Sequence, residues 1–322
     1  MRDFAYARAA GPQEAVQLAA PPHARYVAGG TDLLNLMKDG VQEPDLLVDV
    51  GALDLAGVQS SPEGVRIGAT ARMSDVAADP AVTAIPVLAE ALLAGASPQV
   101  RNMASIGGNL LQRTRCWYFR DATAPCNKRA PGSGCPALDG VNRWHAVLGG
   151  SEHCIAVHPS DLAVALTALD ATVNTLRGDG ERSIPVGEFY LLPGSTPDRE
   201  TALHPGELIT SVDVPTPGRG TWSRYLKLRD RATFEFAVVS VAAVVRLAGG
   251  VVREARLAFG GIGTRPWRSP EAEAALVGRP LTAATAQAAG RALVRDAVPR
   301  RHNAFKVDLV QRALTQLLGG VR

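Results

Sequence analysis

The apolar positions of this chain fall into two regimes with an irregular stretch between them. In the first regime, short strand-like runs alternate with segments of helical spacing. GPQEAVQLAA reads as a short helix, and ARYVAGG as a strand that ends in glycines. TDLLNLMKDG has Leu33, Leu36 and Met37 at helical spacing, with Gly40 as its stop. DLLVDV and GVRIGAT read as strands, and AVTAIPVLAEALLAGA as a helix with Pro86 in its first turns. The stretch that follows carries Pro125, Pro131, Pro136 and several glycines, so it predicts irregular backbone. HPSDLAVALTALDATVNTL then predicts a capped helix followed by a strand. Asp161 sits near the helix start, where a carboxylate suits the dipole. Residues 188–206 are turn-rich and predict a surface loop, and ELITSVDVP predicts a strand. Past Gly220 the second regime begins. TWSRYLKLR, FAVVSVAAVVRLAGG and VVREARLAFGGIG predict antiparallel strands. SPEAEAALVG, TAATAQAAGRALVRDA and NAFKVDLVQRALTQLL predict helices.

The pattern is that of an α+β chain. TPGRG after ELITSVDVP marks a boundary, giving a first part over residues 1–217 and a second over 218–322 that combines an antiparallel sheet with helices. A length of 322 residues with 46% apolar content allows two domains or one large one with a sizeable core. The net charge of +3 and the lack of a long Lys/Arg stripe argue against a nucleic-acid partner. The longest apolar run, AVVSVAAVV, is half of the roughly 18 residues a membrane span needs and reads as a buried strand. The first residues, MRDFAYARAAGPQEA, lack the apolar core of a signal peptide, so any export would depend on a partner. No triad-like set of nucleophile and base stands out, and no residue is assigned a catalytic role.

Two short segments share a physical logic. VAGGTD (Val27 to Asp32) and ASIGGN (Ala104 to Asn109) each place paired glycines at a helix start. Such glycines let backbone N–H groups approach a phosphate without a Cβ in the way, and the helix start adds favourable field for an anion. Neither segment is a GxGxxG or Walker A pattern, and taken alone a plain turn is the stronger reading of each.

All four cysteines lie between Cys116 and Cys154, spaced Cys116-x9-Cys126-x8-Cys135-x18-Cys154. Disulfides would need an oxidising compartment and usually a small core. Zinc is open to four thiolates, although CxxC knuckles are absent. An iron–sulfur cluster also takes four thiolates. Inert core cysteines would be scattered rather than confined to one Pro/Gly-rich stretch. From Arg101 to Arg143 there are seven Lys/Arg (Arg101, Arg113, Arg115, Arg120, Lys128, Arg129, Arg143) against Asp121 and Asp139. This excess suits an anionic thiolate site of either metal kind, and a solvated basic loop is the plain alternative. Trp117, Tyr118 and Phe119 would cover such a site or simply anchor the loop. His153 and His158 read as hydrogen-bonded loop histidines rather than ligands.

With their flanks, VAGGTDLLNLMK and NMASIGGNL resemble the flavoprotein subunit or domain of the molybdenum hydroxylases, the xanthine dehydrogenase and carbon monoxide dehydrogenase group. The resemblance continues through HPSDLAVALTALDATV, YLKLRDRATFEFAVVSVAA, GGIGTRPWRSPEAEAALVG and HNAFKVDLV, nearly the whole chain. It implies an FAD-binding domain over 1–217 and a C-terminal flavoprotein domain over 218–322. It implies that Ala28, Gly29, Gly30, Thr31 and Asp32 form one FAD loop, and Ser105, Gly107, Gly108 and Asn109 the second. Asp161 matches an acidic residue near the ribityl chain or flavin, Leu208 or Ile209 an apolar ring contact, and Lys227 a lysine near the isoalloxazine. Each has a plain alternative: a helix cap for Asp161, core for Leu208, a solvated strand residue for Lys227. In ordinary members GGN is followed closely by the SD segment. Here an insertion at about 112–157 intervenes and carries every cysteine. This is similar to the aldehyde oxidoreductase type within the family, and it implies a [4Fe–4S] cluster on Cys116, Cys126, Cys135 and Cys154. The resemblance further implies an electron-transfer role beside a molybdenum-cofactor large subunit and a small [2Fe–2S] subunit. The compartment would be the periplasm by co-export with a partner, or the cytoplasm. Two rivals are a stand-alone flavin reductase with its own nicotinamide site, and a non-redox module with structural zinc.

Overall fold

The computed structural model describes residues 1–321. Strands β1 (Ala5–Arg8), β2 (Ala24–Val27) and β3 (Leu46–Asp49) form a parallel sheet in the order β1-β3-β2. Central β3 buries Leu47 and Val48, and Val48 packs in a small core with Ala15, Ala24, Leu53 and Leu208. A second, antiparallel sheet joins β4 (Val58–Ser60), β5 (Gly64–Gly68), β6 (Thr172–Arg177), β7 (Gly180–Pro185) and β8 (Leu208–Pro215) in the order β4-β5-β8-β6-β7. The third sheet is antiparallel and C-terminal: β9 (Thr221–Leu228), β10 (Val239–Ala248), β11 (Val251–Gly260) and β12 (Trp267–Arg268), in the order β12-β11-β10-β9. The α+β architecture with a C-terminal antiparallel sheet is as the apolar pattern predicts.

The long apolar run in β10 follows from burial on both faces. Ala242 and Val244 pack into the core that holds the Pro86–Ala94 and Asp161–Ala168 helices. Val239, Val241, Ala243 and Val245 pack on the opposite side against the Ala283–Leu293 and Phe305–Leu318 helices. The period-two alternation of strand side chains divides one run between two cores. β10 turns into β11 through Gly249 and Gly250, both at positive φ, the two-residue turn that matches the twist of a hairpin.

Two expectations need correction. The helix anticipated across AVTAIPVLAEALLAGA is two helices, Pro80–Thr83 and Pro86–Ala94. Proline lacks the N–H a helix interior needs, so Pro86 opens the second helix rather than sitting inside the first. Residues 188–206 are more than a surface loop. Phe189 and Tyr190 are buried in the main core, and Glu200 pairs with Arg113 and Lys128 of the cysteine insertion. The insertion itself is irregular, with one turn of helix at Trp117–Arg120 and one of 3-10 helix at Pro136–Leu138. No helix among the described residues is long and apolar enough to cross a membrane.

Leu92 and Leu93 are adjacent on the Pro86–Ala94 helix, yet Leu92 is fully buried and Leu93 is 55% exposed. Leu92→Ala is expected to destabilise the fold by about 2–5 kcal/mol, and Leu93→Ala by no more than about 0.5 kcal/mol. Denaturant midpoints of the two variants check this.

Candidate functional site

The first glycine loop leaves β2 at Val27 and enters the Leu33–Lys38 helix. Gly30 turns it at a φ of 69°, a conformation that favours glycine. Gly29 is glycine for a different reason. A Cβ there would lie 1.8 Å from the carbonyl oxygen of Met103, so the first loop packs directly on the backbone that leads into the second. That second loop is a short helix, Ile106–Leu110, capped by Ser105, whose Oγ accepts from the Gly108 N–H at 3.2 Å. Gly107 is pinned by its N–H to the Ala69 carbonyl at 2.8 Å. Outside its own helix backbone and chain neighbours, a Cβ at Gly108 would meet only Ser105 Oγ within 4 Å, at 3.0 Å.

These loops line one wall of a cleft with about 2080 Å³ of atom-free space, its open mouth included. Ala28, Gly29, Gly30, Thr31, Asp32, Ser105, Gly107, Gly108 and Asn109 all line it, and so do Asp161, Leu208, Ile209 and Lys227. All the residues proposed from sequence for one cofactor therefore share one cleft.

At its floor, Asp161 occupies the first turn of the Asp161–Ala168 helix, but the cap is Ser160. Ser160 Oγ accepts from the Ala163 N–H at 3.0 Å and donates to Asn109 Oδ1 at 2.6 Å, which ties the helix to the second glycine loop. Asp161 is left free for other partners. Its carboxylate accepts from Tyr225 Oη at 2.6 Å and from Lys227 Nζ at 2.8 Å. Lys227 also donates to the Ala94 carbonyl at 3.0 Å, and its side chain is only 4% exposed. It is a buried ion-pair partner, not a solvated strand residue. Burial first, and the Asp161 carboxylate second, hold the Tyr225 phenol well above its ordinary pKa, so it stays a donor. Leu208 belongs to the small N-terminal core and also lines the cleft.

Asp32 turns its carboxylate to the cysteine insertion. It accepts from Arg120 at 2.8 Å and from the Arg113 backbone N–H at 2.7 Å, and pairs with Arg115 at 2.6 Å. It latches the first loop to the cysteine insertion. The basic residues of that region are likewise engaged rather than free. Arg113 and Lys128 pair with Glu200, and Arg143 with Asp230. Arg101 donates to the carbonyls of Leu93 and Gly95, and Arg129 to those of Tyr118, Phe119 and Ala124. Burial alone would raise the Glu200 carboxyl, but Arg113 and Lys128 outweigh it and hold it below its ordinary value.

Cys116, Cys126, Cys135 and Cys154 line one cavity of about 280 Å³ of atom-free space, and all four are free thiols. Among the described residues no three His, Cys, Asp or Glu groups converge closely enough for a single metal ion. Burial pushes the Cys116 thiol up to about 12 and Cys154 up to about 11, and raises Cys135. The Ala156 N–H donates to Cys154 Sγ at 3.4 Å, while the Phe119 and Leu138 N–H groups donate to the backbone carbonyls of Cys116 and Cys135. Of the three aromatics, Phe119 is buried beside Cys126, Tyr118 lines the cavity, and Trp117 lies 61% exposed against Trp144. His153 lines the cavity through an exposed loop, and His158 Nδ1 accepts from the Ser160 N–H at 3.3 Å. Sequence reasoning missed His145, whose Nε2 lies 3.1 Å from Cys116 Sγ, and Tyr225.

Residues 2–217 match the family described as the FAD binding domain in molybdopterin dehydrogenase. The chain belongs to that family. Residues 224–321 match the C-terminal domain of the carbon monoxide dehydrogenase flavoprotein. The aldehyde oxidoreductase FAD-binding subunit PaoB of Escherichia coli is 48% identical over the whole of this chain and 99% of its own. The carbon monoxide dehydrogenase medium chain of Hydrogenophaga pseudoflava is 29% identical, over 84% of this chain and 78% of its own. The solved carbon monoxide dehydrogenase from that organism superposes with a TM-score of 0.78 at 26% identity, covering 99% of this chain and 97% of that one.

Two outcomes follow for the flavoprotein. Gly29→Ala is expected to push the loops apart and lower both thermal stability and flavin content, because its Cβ collides with a backbone carbonyl. Differential scanning fluorimetry with a flavin assay reads both. His158 is buried against Tyr190, and burial lowers its imidazole to about 4. The unfolded chain then binds more protons than the native one between about pH 6.5 and 4, so stability falls as pH drops through that window. His158→Phe is expected to lose on the order of 2 kcal/mol less than the native chain between pH 7 and 4.5 in urea unfolding.

Proposed function

We propose that this chain is the electron-transfer subunit of a molybdenum-dependent aldehyde oxidoreductase, carrying both FAD and a [4Fe–4S] cluster. It would work beside a molybdenum-cofactor subunit and a small [2Fe–2S] subunit, taking electrons from iron–sulfur centres to an external acceptor. The observation that carries the reading is the convergence of all four cysteines on one cavity in a chain of the FAD-binding family. The full-length likeness to an aldehyde oxidoreductase FAD-binding subunit supports the reaction class.

The residues present fit FAD. Gly108 leaves its face of the second loop open, and Ser105, Gly107 and Asn109 sit beside it in the same cleft. With Ala28, Gly29, Gly30 and Thr31 of the first loop they would hold the pyrophosphate through backbone N–H groups. Asp32 would act one step back, fixing the first loop through the insertion arginines. Asp161, Leu208, Ile209 and Lys227 would lie along the ribityl and ring portions. FAD, when bound, accepts electrons and passes them on. The Asp161–Lys227 pair would present a fixed, nearly neutral charge arrangement to it, with Tyr225 keeping its proton.

The residues also fit a four-iron cluster better than zinc. A tetrahedral zinc site with Zn–S bonds of about 2.3 Å would draw its thiolates together, whereas among the described residues these thiols do not converge that closely. Buried thiols with raised pKa values stay protonated at neutral pH unless a metal centre binds the thiolate form. The Ala156 N–H on Cys154 Sγ is the kind of donor such a thiolate site uses. A [4Fe–4S] cluster, when bound, exchanges single electrons. A second cavity shares Lys128 and Cys154 with the cysteine site and Arg113 and Pro159 with the flavin cleft, so the two sites are neighbours.

Two measurements test the reading. Gly108→Val is expected to abolish flavin retention while the fold survives, because outside its own helix backbone and chain neighbours its Cβ meets only the Ser105 hydroxyl. Serine at any one of the four cysteines is expected to remove the cluster, read as iron content and low-temperature EPR, with FAD retained. Stoichiometric zinc without iron in the native subunit would refute the cluster and leave the flavin reading standing.

A further inference from the structure

His145 lies in the last part of the cysteine insertion, with no motif around it. Its side chain is buried and its Nε2 approaches Cys116 Sγ at 3.1 Å. The other ring nitrogen, Nδ1, is buried and has no partner. A neutral imidazole carries one proton. Placed on Nδ1, that proton would be a buried donor with no acceptor, the costlier defect. Placed on Nε2, it points at a sulfur. The geometry therefore selects the Nε2–H form whenever Cys116 is a thiolate.

The backbone that carries the ring is also fixed. The His145 N–H donates to the Asn142 carbonyl at 3.0 Å, and the His145 carbonyl accepts from Lys306 Nζ at 3.1 Å and Asn303 Nδ2 at 3.3 Å. Lys306 is fully buried on the Phe305–Leu318 helix, and its second bond, 2.6 Å to the Gly261 carbonyl, ties the insertion to the loop after β11. Two buried polar side chains of the C-terminal part thus fix a histidine of the insertion against one particular cysteine. Nothing in the flavin cleft requires that arrangement.

We propose that His145 is a positioning residue for the cluster: its Nε2–H donates to the Cys116 sulfur, fixes the orientation of that ligand and raises the cluster's reduction potential. This rests on the cluster reading above. An N–H directed at a ligand sulfur stabilises negative charge there, and one-electron reduction adds one negative charge to the cluster and its ligands. The hydrogen bond therefore favours the reduced state, and its removal lowers the potential. Through Lys306 and Asn303, the potential of a centre in the inserted segment is set partly by the C-terminal helix.

The experiment uses the assembled complex. The midpoint potential of the reduced [4Fe–4S] signal is measured by EPR-monitored titration in the native protein, His145→Phe and His145→Gln, with iron and flavin contents determined for each. His145→Phe is expected to keep its iron and flavin and to shift to lower potential. His145→Gln, which restores an N–H, is expected to recover much of the shift. A purely structural role would not produce that ordering. Native complex labelled with 15N-histidine supplies a readout that does not depend on a variant assembling. One weak nitrogen coupling to the reduced cluster is expected, lost in His145→Gln. Full iron with an unmoved potential in His145→Phe, or no nitrogen coupling in the native protein, would overturn the role of His145 alone. Native complex without a [4Fe–4S] signal would overturn the cluster reading and this inference with it.

Discussion

The cleft is held together at its floor by one buried ion pair, Asp161 with Lys227. Asp161 comes from the helix that follows the cysteine insertion, and Lys227 from the first strand of the C-terminal sheet. The Ala94 carbonyl that shares the lysine comes from the Pro86–Ala94 helix. Tyr225 and Lys227 stand two residues apart on β9, so both point to the same face and reach the same carboxylate. β10 makes room for them: Ala242 and Ser240 are their cross-strand partners, small residues in a strand otherwise rich in valine. Breaking such a pair from one side leaves an uncompensated charge and costs about 3–5 kcal/mol. The two parts of the chain are thus joined where the cleft needs a defined floor.

The glycine loops depend on the same economy of close contact. Gly29 exists for Met103, Gly107 for Ala69, and Ser105 caps its own helix. Most of these glycines are explained by protein touching protein, which leaves Gly108 as the position whose openness points outward to a ligand. Conformational and steric reasons for glycine are different, and only the second distinguishes a cradle from a turn.

Much of this was legible in the sequence because the signals are local. A strand ending in paired glycines before a helix, and four cysteines confined to one Pro/Gly-rich stretch, can be read within a few residues of themselves. The strand-like runs past Gly220 located the C-terminal sheet. What escaped was set by partners far away along the chain. Asp32 looks like any acidic residue at a helix start, and its arginines lie more than 80 residues on. Tyr225 reads as strand core, and its role comes from Asp161. His145 carries no motif, and nothing near it in sequence announces Cys116. The basic residues of the insertion invited a field argument, yet the structure pairs them one by one with carboxylates and carbonyls.

That pairing explains how a segment with almost no regular structure can hold four thiols in register. The insertion packs Phe119 and Cys126 against Leu36 at one end and buries Val147 and Leu148 in the C-terminal core at the other. Between these anchors it uses polar staples. Arg129 gathers the carbonyls around the Trp117–Arg120 turn, and Asn127 and Gly134 exchange hydrogen bonds across the loop between two cysteines. Asn142 reaches from the Ala137 carbonyl to the His302 N–H. Irregular backbone is what such a site needs. Helices and strands bond their own N–H groups internally, whereas turns leave some of them free to face sulfur. Dense polar networks of this kind hold irregular backbone in place. The thiol cavity is thus shaped by bonds among the protein's own groups.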